Sequence, residues 1–207
     1  MKSTFCFIVE PLGNRYKNKK NIGDKELILN TSLESFKHVN NIARVVEIPL
    51  FFESNIKKGD LVIIHHNVFR VFYNIRGEKK NSRSYLFNNL FICEPEQIFL
   101  YKTSEKWKTL NDRCFIKPLK NKSNLSTNKE RELIGILKYG NSELESLGLH
   151  EGDTVGYKPY GEFDFVVENE RLYCMRTNDV IVKYDFNEEN VEYNPNWTKN
   201  EHGDKSN

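Results

Sequence analysis

The sequence predicts an all-β protein built as two tandem small β-barrels with long polar loops and a flexible C-terminal tail. Alanine, the best helix former, occurs once in 207 residues, at Ala43, whereas valine, isoleucine, phenylalanine and tyrosine are plentiful. Short apolar runs are separated by glycine and asparagine at turn spacing. The third observation is a duplication. Lys57-Lys58-Gly59-Asp60-Leu61-Val62-Ile63-Ile64 returns as His150-Glu151-Gly152-Asp153-Thr154-Val155-Gly156-Tyr157, with the glycines 93 positions apart (152 − 59). Cys6-Phe7-Ile8-Val9-Glu10-Pro11-Leu12 returns as Cys114-Phe115-Ile116-Lys117-Pro118-Leu119. Each copy therefore opens on an apolar strand ending in Pro-Leu and later sets Gly-Asp before another strand, the mark of an internal repeat.

The first copy, residues 1–102, is expected to place strands at 4–9, 42–48, 60–66, 69–73, 85–93 and 97–102. Gly59-Asp60, Arg76-Gly77-Glu78 and Asn88-Asn89 supply the turns. Residues 103–112 are polar around Trp107 and read as a connector. The second copy, 113–185, repeats the pattern at 113–117, 133–139, 154–158, 163–168, 171–175 and 179–184, broken by Gly140-Asn141, Gly161-Glu162 and Asn169-Glu170. Residues 142–147 read as one helical turn before Gly148, with Leu144 and Leu147 facing inward. Residues 186–207 turn acidic, then polar, and are expected to form a poorly ordered tail held at most by Tyr193, Pro195 and Trp197.

With 31 basic and 29 acidic side chains the formal charge is +2, which gives no general attraction to phosphate backbones or acidic membranes. The N-terminal apolar run, Phe5 to Val9, is too short for a signal peptide or a membrane span, so a cytoplasmic protein is expected. Cys6, Cys93, Cys114 and Cys174 each lie in an apolar run with no Cys-x-x-Cys or zinc-finger spacing, and read as buried free thiols. His65-His66 is the sharpest metal-like feature. Neighbours on a strand point to opposite faces, so the two imidazoles are not expected to share an ion, and no metal or other cofactor is assigned. No phosphate loop, Gly-x-Ser-x-Gly or His-Glu-x-x-His is present, and the acidic residues are scattered at turns, so the chain is read as a non-enzyme.

The loop 76–83 gathers Arg76, Lys79, Lys80 and Arg83 against the single Glu78, with Phe69, Phe72, Tyr73 and Tyr85 nearby. Such residues can stack bases beside phosphates, but strand aromatics are more often core and a charged loop is more often a solvated turn. Nucleic acid is therefore not the expected partner. Two long polar segments, 13–41 and 120–132, follow the Pro-Leu of each copy. Loops of this length in a compact domain are functional or disordered. The first carries an isolated apolar triplet, Leu27-Ile28-Leu29, between Asp24-Lys25-Glu26 and Asn30-Thr31-Ser32. It suits docking into a partner's groove, or equally one more strand.

Taken together, these residues resemble the GroES-type co-chaperonins across about residues 4–185, as two GroES-like domains in tandem. The opening Glu10-Pro11-Leu12-Gly13-Asn14-Arg15 is similar to that family's Pro-Leu-x-x-Arg strand, and Leu27-Ile28-Leu29-Asn30-Thr31-Ser32 to its mobile-loop tripeptide with small polar residues behind it. Leu133 to Asn141 resembles the strand that follows, and 56–62 and 149–155 its Val-x-x-Gly-Asp-x-Val segment. The chain departs from the family in carrying two copies, in lacking an apolar triplet at 120–132, and in the His65-His66 segment with its basic loop. The composition is in keeping with a bacteriophage-encoded member acting in the host cytoplasm.

The resemblance implies a protein that caps a GroEL-like chaperonin ring and assists ATP-dependent folding while the chaperonin hydrolyses the ATP. Residues 23–41 would be the mobile loop, with Leu27, Ile28 and Leu29 binding the partner. It also implies a homo-oligomer in which barrel edges pair between subunits, the first and last strands being the candidates. The alternative is a structural or assembly protein, a virion component included, that uses the barrels as an interaction scaffold.

Overall fold

A computed structural model describes residues 2–16, 19–22, 25–28, 39–121, 129–185, 191–195 and 197–198. The chain divides into two compact units, Met1–Trp107 and Lys108–Asn207, and the boundary falls inside the stretch read as a connector. That stretch also carries a strand.

The first unit contains β1 (Phe7–Pro11), β2 (Lys19–Ile22), β3 (Lys25–Ile28), β4 (Ile42–Glu47), β5 (Leu61–Ile64), β6 (Val71–Tyr73), β7 (Lys79–Asn81), β8 (Phe91–Cys93), β9 (Ile98–Thr103) and β10 (Lys106–Thr109). Six of these form one sheet in the order β10-β9-β5-β4-β1-β8, while β2-β3 and β6-β7 are separate two-stranded ribbons. The second unit contains β11 (Arg113–Lys120), β12 (Glu130–Tyr139), helix α1 (Ser142–Ser146), β13 (Thr154–Tyr157), β14 (Phe163–Val167), β15 (Glu170–Arg176) and β16 (Val180–Tyr184). Its sheet runs β14-β15-β11-β12-β13-β16.

The duplication read from two short motifs extends to five strands of each six-stranded sheet. The five strands β9-β5-β4-β1-β8 and β16-β13-β12-β11-β15 follow one order when counted along each unit. Even the irregularities coincide: a bulge between Ile8 and Val9 matches one between Phe115 and Ile116, and one between Ile63 and Ile64 matches one between Gly156 and Tyr157. Bulges re-aim a strand and are positional features rather than defects.

The Gly-Asp turns are near copies. Gly59 and Gly152 take φ +90° and +95°, a region closed to most side chains. Gly59 N–H donates to Val45 O at 2.7 Å and Gly152 N–H to Leu137 O at 2.8 Å. The Asp60 carboxylate accepts from Lys57 N–H (2.8 Å) and the Thr103 hydroxyl (2.7 Å), and that of Asp153 from His150 N–H and Lys183 Nζ (both 2.7 Å). Changing Asp60 or Asp153 to alanine should cost about 1–2 kcal/mol each, read by chemical denaturation, and the two losses should add because the turns share no partner.

A close strand approach accounts for the place of the single alanine. Pro11 pairs with Ala43 and Pro118 with Gly135 at the same register position. Ala43 is fully buried, and a Cβ on Gly135 would lie 2.3 Å from Ile116 Cγ2 and 2.6 Å from Lys117 O. The position admits almost no side chain in either unit.

Several expectations change. Each ladder is open-ended, and no closed barrel is found among the described strands: β8 is three residues long and its outer side holds only the single bridge Tyr85↔Phe91. The first strand is interior, between β4 and β8, so of the two strands expected to pair between subunits the last, β16, lies at a sheet edge. Strands β2, β7 and β10 differ from expectation, while β3 takes up the strand alternative for Leu27 and Ile28. In α1 Leu144 is buried but Leu147 is exposed, because the helix ends at Ser146 and Gly148 turns the chain away at φ +79°. The tail, expected to be loose from residue 186, docks over its described part. Lys120 N–H donates to Val191 O (2.7 Å), Tyr193 N–H to Pro118 O (2.9 Å), and Thr198 is fully buried.

Candidate functional site

The partner-binding triplet was assigned to an excursion between β1 and β4, and the described residues define its neck. Leu12 N–H donates to Ile42 O at 3.0 Å. The buried Asn40 side chain donates to Leu12 O (2.9 Å) and Asn14 O (3.0 Å) and accepts from Ile42 N–H (3.0 Å). Asn40 N–H donates to Arg15 O at 2.8 Å, and Tyr16 bridges Val39. Asn40 thus acts as a buckle, with each polar group satisfied across the two ends of the excursion.

Arg15, the arginine of the Pro-Leu-x-x-Arg segment, completes the neck. Its guanidinium lies 4.8 Å from the centre of the Phe91 ring and donates to Phe69 O (2.7 Å) and Asn81 Oδ1 (2.8 Å). Val71 N–H donates to Tyr16 Oη at 2.6 Å. The neck and the foot of the β6-β7 ribbon are therefore one hydrogen-bonded assembly. Beyond the neck, β2 and β3 form an antiparallel ribbon with Lys19 opposite Ile28 and Lys20 opposite Leu27. Leu27 and Ile28 lie on β3; Leu29, and residues 23–24 and 29–38 of the expected mobile loop, lie outside the described residues.

His65 and His66 do not point apart. β5 ends at Ile64, so strand alternation stops before them: His65 caps a 3-10 turn at His66–Val68, its Nδ1 accepting Asn67 N–H at 3.1 Å, and the two rings stack with centroids 4.3 Å apart. Burial, with His65 and Arg70 close by, lowers the His66 pKa to about 4. No group of three or more metal-ligating side chains occurs among the described residues. All four cysteines are free, and Cys93, Cys114 and Cys174 are buried. Burial raises the Cys114 and Cys174 thiols to about 12, far from thiolate chemistry.

The second unit holds a polar constellation that the sequence did not reveal. Arg171 is paired with Asp164 (2.9 Å) and Glu130, stacks near Tyr173 (5.1 Å) and Trp197 (5.8 Å), and Tyr173 donates its hydroxyl to Glu130 at 2.5 Å. Beside it, Lys117, only 4% exposed, is paired with Glu170 (2.8 Å) and with Glu192 of the tail (2.5 Å). A cleft of about 580 Å³ opens next to this cluster, lined by Glu130, Leu133, Tyr157, Tyr160, Tyr173 and Tyr193 among others. Burial pushes Tyr157 up to about 12, so it faces the cleft as a neutral phenol.

Burial alone would raise the Glu170 carboxyl, but hydrogen bonds from Lys117 and Lys138 outweigh it and hold the pKa below the ordinary glutamate value. Its contribution to stability is therefore full above that ordinary value and lost as pH falls through the depressed one. Lys117 is lowered by burial but raised more by Glu170 and Glu192, so its share is full below the ordinary lysine value and lost only at high alkalinity. As pH falls below about 4.5 the Glu170 pairs with Lys117 and Lys138 should weaken, read as a loss of stability in chemical denaturation across that range.

Arg76, Lys79, Lys80 and Arg83 fall on or beside the β6-β7 ribbon rather than on an irregular loop. Phe72 and Tyr73, read as core, are instead solvent-exposed, while Phe69 and Val71 are buried. No helix among the described residues is long and apolar enough to cross a membrane. In comparisons with known proteins, no family model and no curated protein matches this chain.

Proposed function

We propose that this chain is a co-chaperonin-like protein: two GroES-like domains that cap a GroEL-like chaperonin ring through the excursion between β1 and β4. The observation that carries the reading is the clamped neck at Leu12–Tyr16 and Val39–Ile42, from which an antiparallel ribbon bearing Leu27 and Ile28 departs. A fixed base with an apolar segment beyond it is what a groove-docking loop requires. The twofold repeat of one strand order, with its Gly-Asp turns, supports the tandem form. Each loop would bind weakly, and a homo-oligomer presenting several would gain avidity while leaving each contact reversible. The ATP hydrolysis belongs to the chaperonin, so the chain itself needs no catalytic residue or cofactor.

The test is co-sedimentation with the chaperonin of the authentic host, with and without ATP, comparing wild type with a Leu27→Ser, Ile28→Ser, Leu29→Ser variant. Nucleotide-dependent binding that falls at least tenfold in the variant supports the reading. Binding that ignores the substitutions keeps the partner and moves the site. Absence of binding turns the assignment to the second reading, an assembly scaffold. That reading is favoured by one observation: the exposed Phe5 and Phe51 rings stack 5.5 Å apart beside the exposed Leu50, an apolar patch of the kind that interfaces cover.

A further inference from the structure

The β6-β7 ribbon is peculiar to the first unit. Val9 pairs with Phe91 and Ile116 with Tyr173 at equivalent positions, so the span from the Gly-Asp turn to that strand is 32 positions in one unit (91 − 59) and 21 in the other (173 − 152). In the second unit the span is filled by β14, which pairs along its length with β15; in the first the extra residues form the ribbon. The duplicated fold is complete without it.

Its composition is basic. Residues 70–83 contain Arg70, Arg76, Lys79, Lys80 and Arg83 against Glu78, a formal +4 (5 − 1), while the whole chain is +2, so the remainder is −2 (2 − 4). The ribbon is thus one of the basic stretches of the chain, and its local charge suits a polyanionic partner. The ribbon's register adds stacking surface: Phe72 lies opposite Lys80 and Tyr73 opposite Lys79. Directly opposed residues project to one face, so Phe72 shares a face with Lys80, whose ammonium pairs with Glu78 at 3.2 Å, and Tyr73 shares the other with Lys79. Phe72 and Tyr73 are 40% and 44% exposed, where strand aromatics would normally be buried. The foot is held rigid by Arg15 on Phe69 O and Asn81, and by the Ser82 hydroxyl on Val68 O at 2.6 Å.

We propose that the β6-β7 ribbon binds single-stranded nucleic acid, with bases stacking on Phe72 and Tyr73 and phosphates paired to Lys79, Lys80 and the flanking Arg76 and Arg83. Stacking is tolerant of sequence, so little base preference is expected. The site is independent of the capping assignment.

The test uses the full chain and fluorescence anisotropy of labelled oligothymidylate and oligouridylate at about 150 mM salt. Competition by unlabelled heparin, by duplex DNA and by phosphatidylserine vesicles runs in parallel. Phe72→Leu and Tyr73→Leu keep the ribbon's apolar bulk and remove the rings; each should weaken oligonucleotide binding roughly tenfold. A Lys79→Ala, Lys80→Ala variant should reduce the slope of log affinity against log salt by about 1.4. Circular dichroism confirms folding of each variant. Oligonucleotide binding unchanged by the leucine variants, or absent at this salt, overturns the proposal. Heparin that competes as well as the single strand in both wild type and leucine variants reduces the ribbon to a general polyanion patch and overturns it. Tighter association with vesicles than with oligonucleotide reassigns it to a membrane surface.

Discussion

Gly135→Ala should be among the most damaging single-methyl additions in the chain, costing about 2–4 kcal/mol. The new Cβ would meet Lys117 O at 2.6 Å, and backbone cannot rotate away as a flexible side chain can. Relief requires β11 and β12 to separate where Pro118 faces Gly135. Gly135→Val should be worse. Ala43→Gly, at the matching position of the first sheet, should cost only about 1 kcal/mol from backbone entropy and lost packing. Thermal unfolding gives the magnitudes, and hydrogen exchange should localise the first loss to β11-β12. A Gly135→Ala protein as stable as wild type would refute the close approach.

The second large effect concerns Lys117. Replacing it with methionine keeps most of the buried volume but strips the charge that Glu170 and Glu192 share. Glu170 keeps Lys138 at 3.1 Å, and Glu192 is partly exposed and can return to water, which limits the damage. The expected loss is about 2–4 kcal/mol, short of the worst cases for a broken buried pair. The docked tail should loosen with it, seen as faster amide exchange at Lys120 and Tyr193, the two N–H groups that donate across the pairing. Adding Glu192→Gln to the methionine variant should recover part of the loss, because the carboxylate left behind is then neutral. A tail that stays protected in the methionine variant would mean that its backbone bonds to Pro118 and Lys120, rather than the ion pair, hold it.

Where apolar residues run together between turn residues, the sequence declared the strands, most of which are buried almost end to end. The runs around Phe7, Val45, Ile63, Ile116, Val155 and Cys174 lie within observed strands, and the repeated Gly-Asp pairs located the turns. Polar strands left no such trace. Lys19–Ile22, Lys79–Asn81 and Lys106–Thr109 have no continuous apolar face, and their pairing rests on backbone bonds that composition does not encode. The histidine pair was misread because a strand end depends on tertiary context, which stopped β5 one residue before His65. The exposure of Phe72 and Tyr73 was hidden for a related reason: aromatic residues in a run look like core until the surface above them is known to be empty. The Lys117–Glu170–Glu192 cluster joins residues far apart in the chain, and no local pattern announces it. Arg15 and Asn40 stood in plain view, but their role as two halves of one clasp needed the fold.

That clasp makes the first unit a natural acceptor for foreign sequence. Once the ends of a segment are fastened to each other by the body of the fold, the cost of changing what lies between them grows only slowly with length, about 0.6 kcal/mol per doubling. The chain between Tyr16 and Val39 is in that sense a replaceable cartridge. Peptides of different length or chemistry could be exchanged there without disturbing the sheet, and a lineage inheriting this scaffold could retarget it by rewriting one insert.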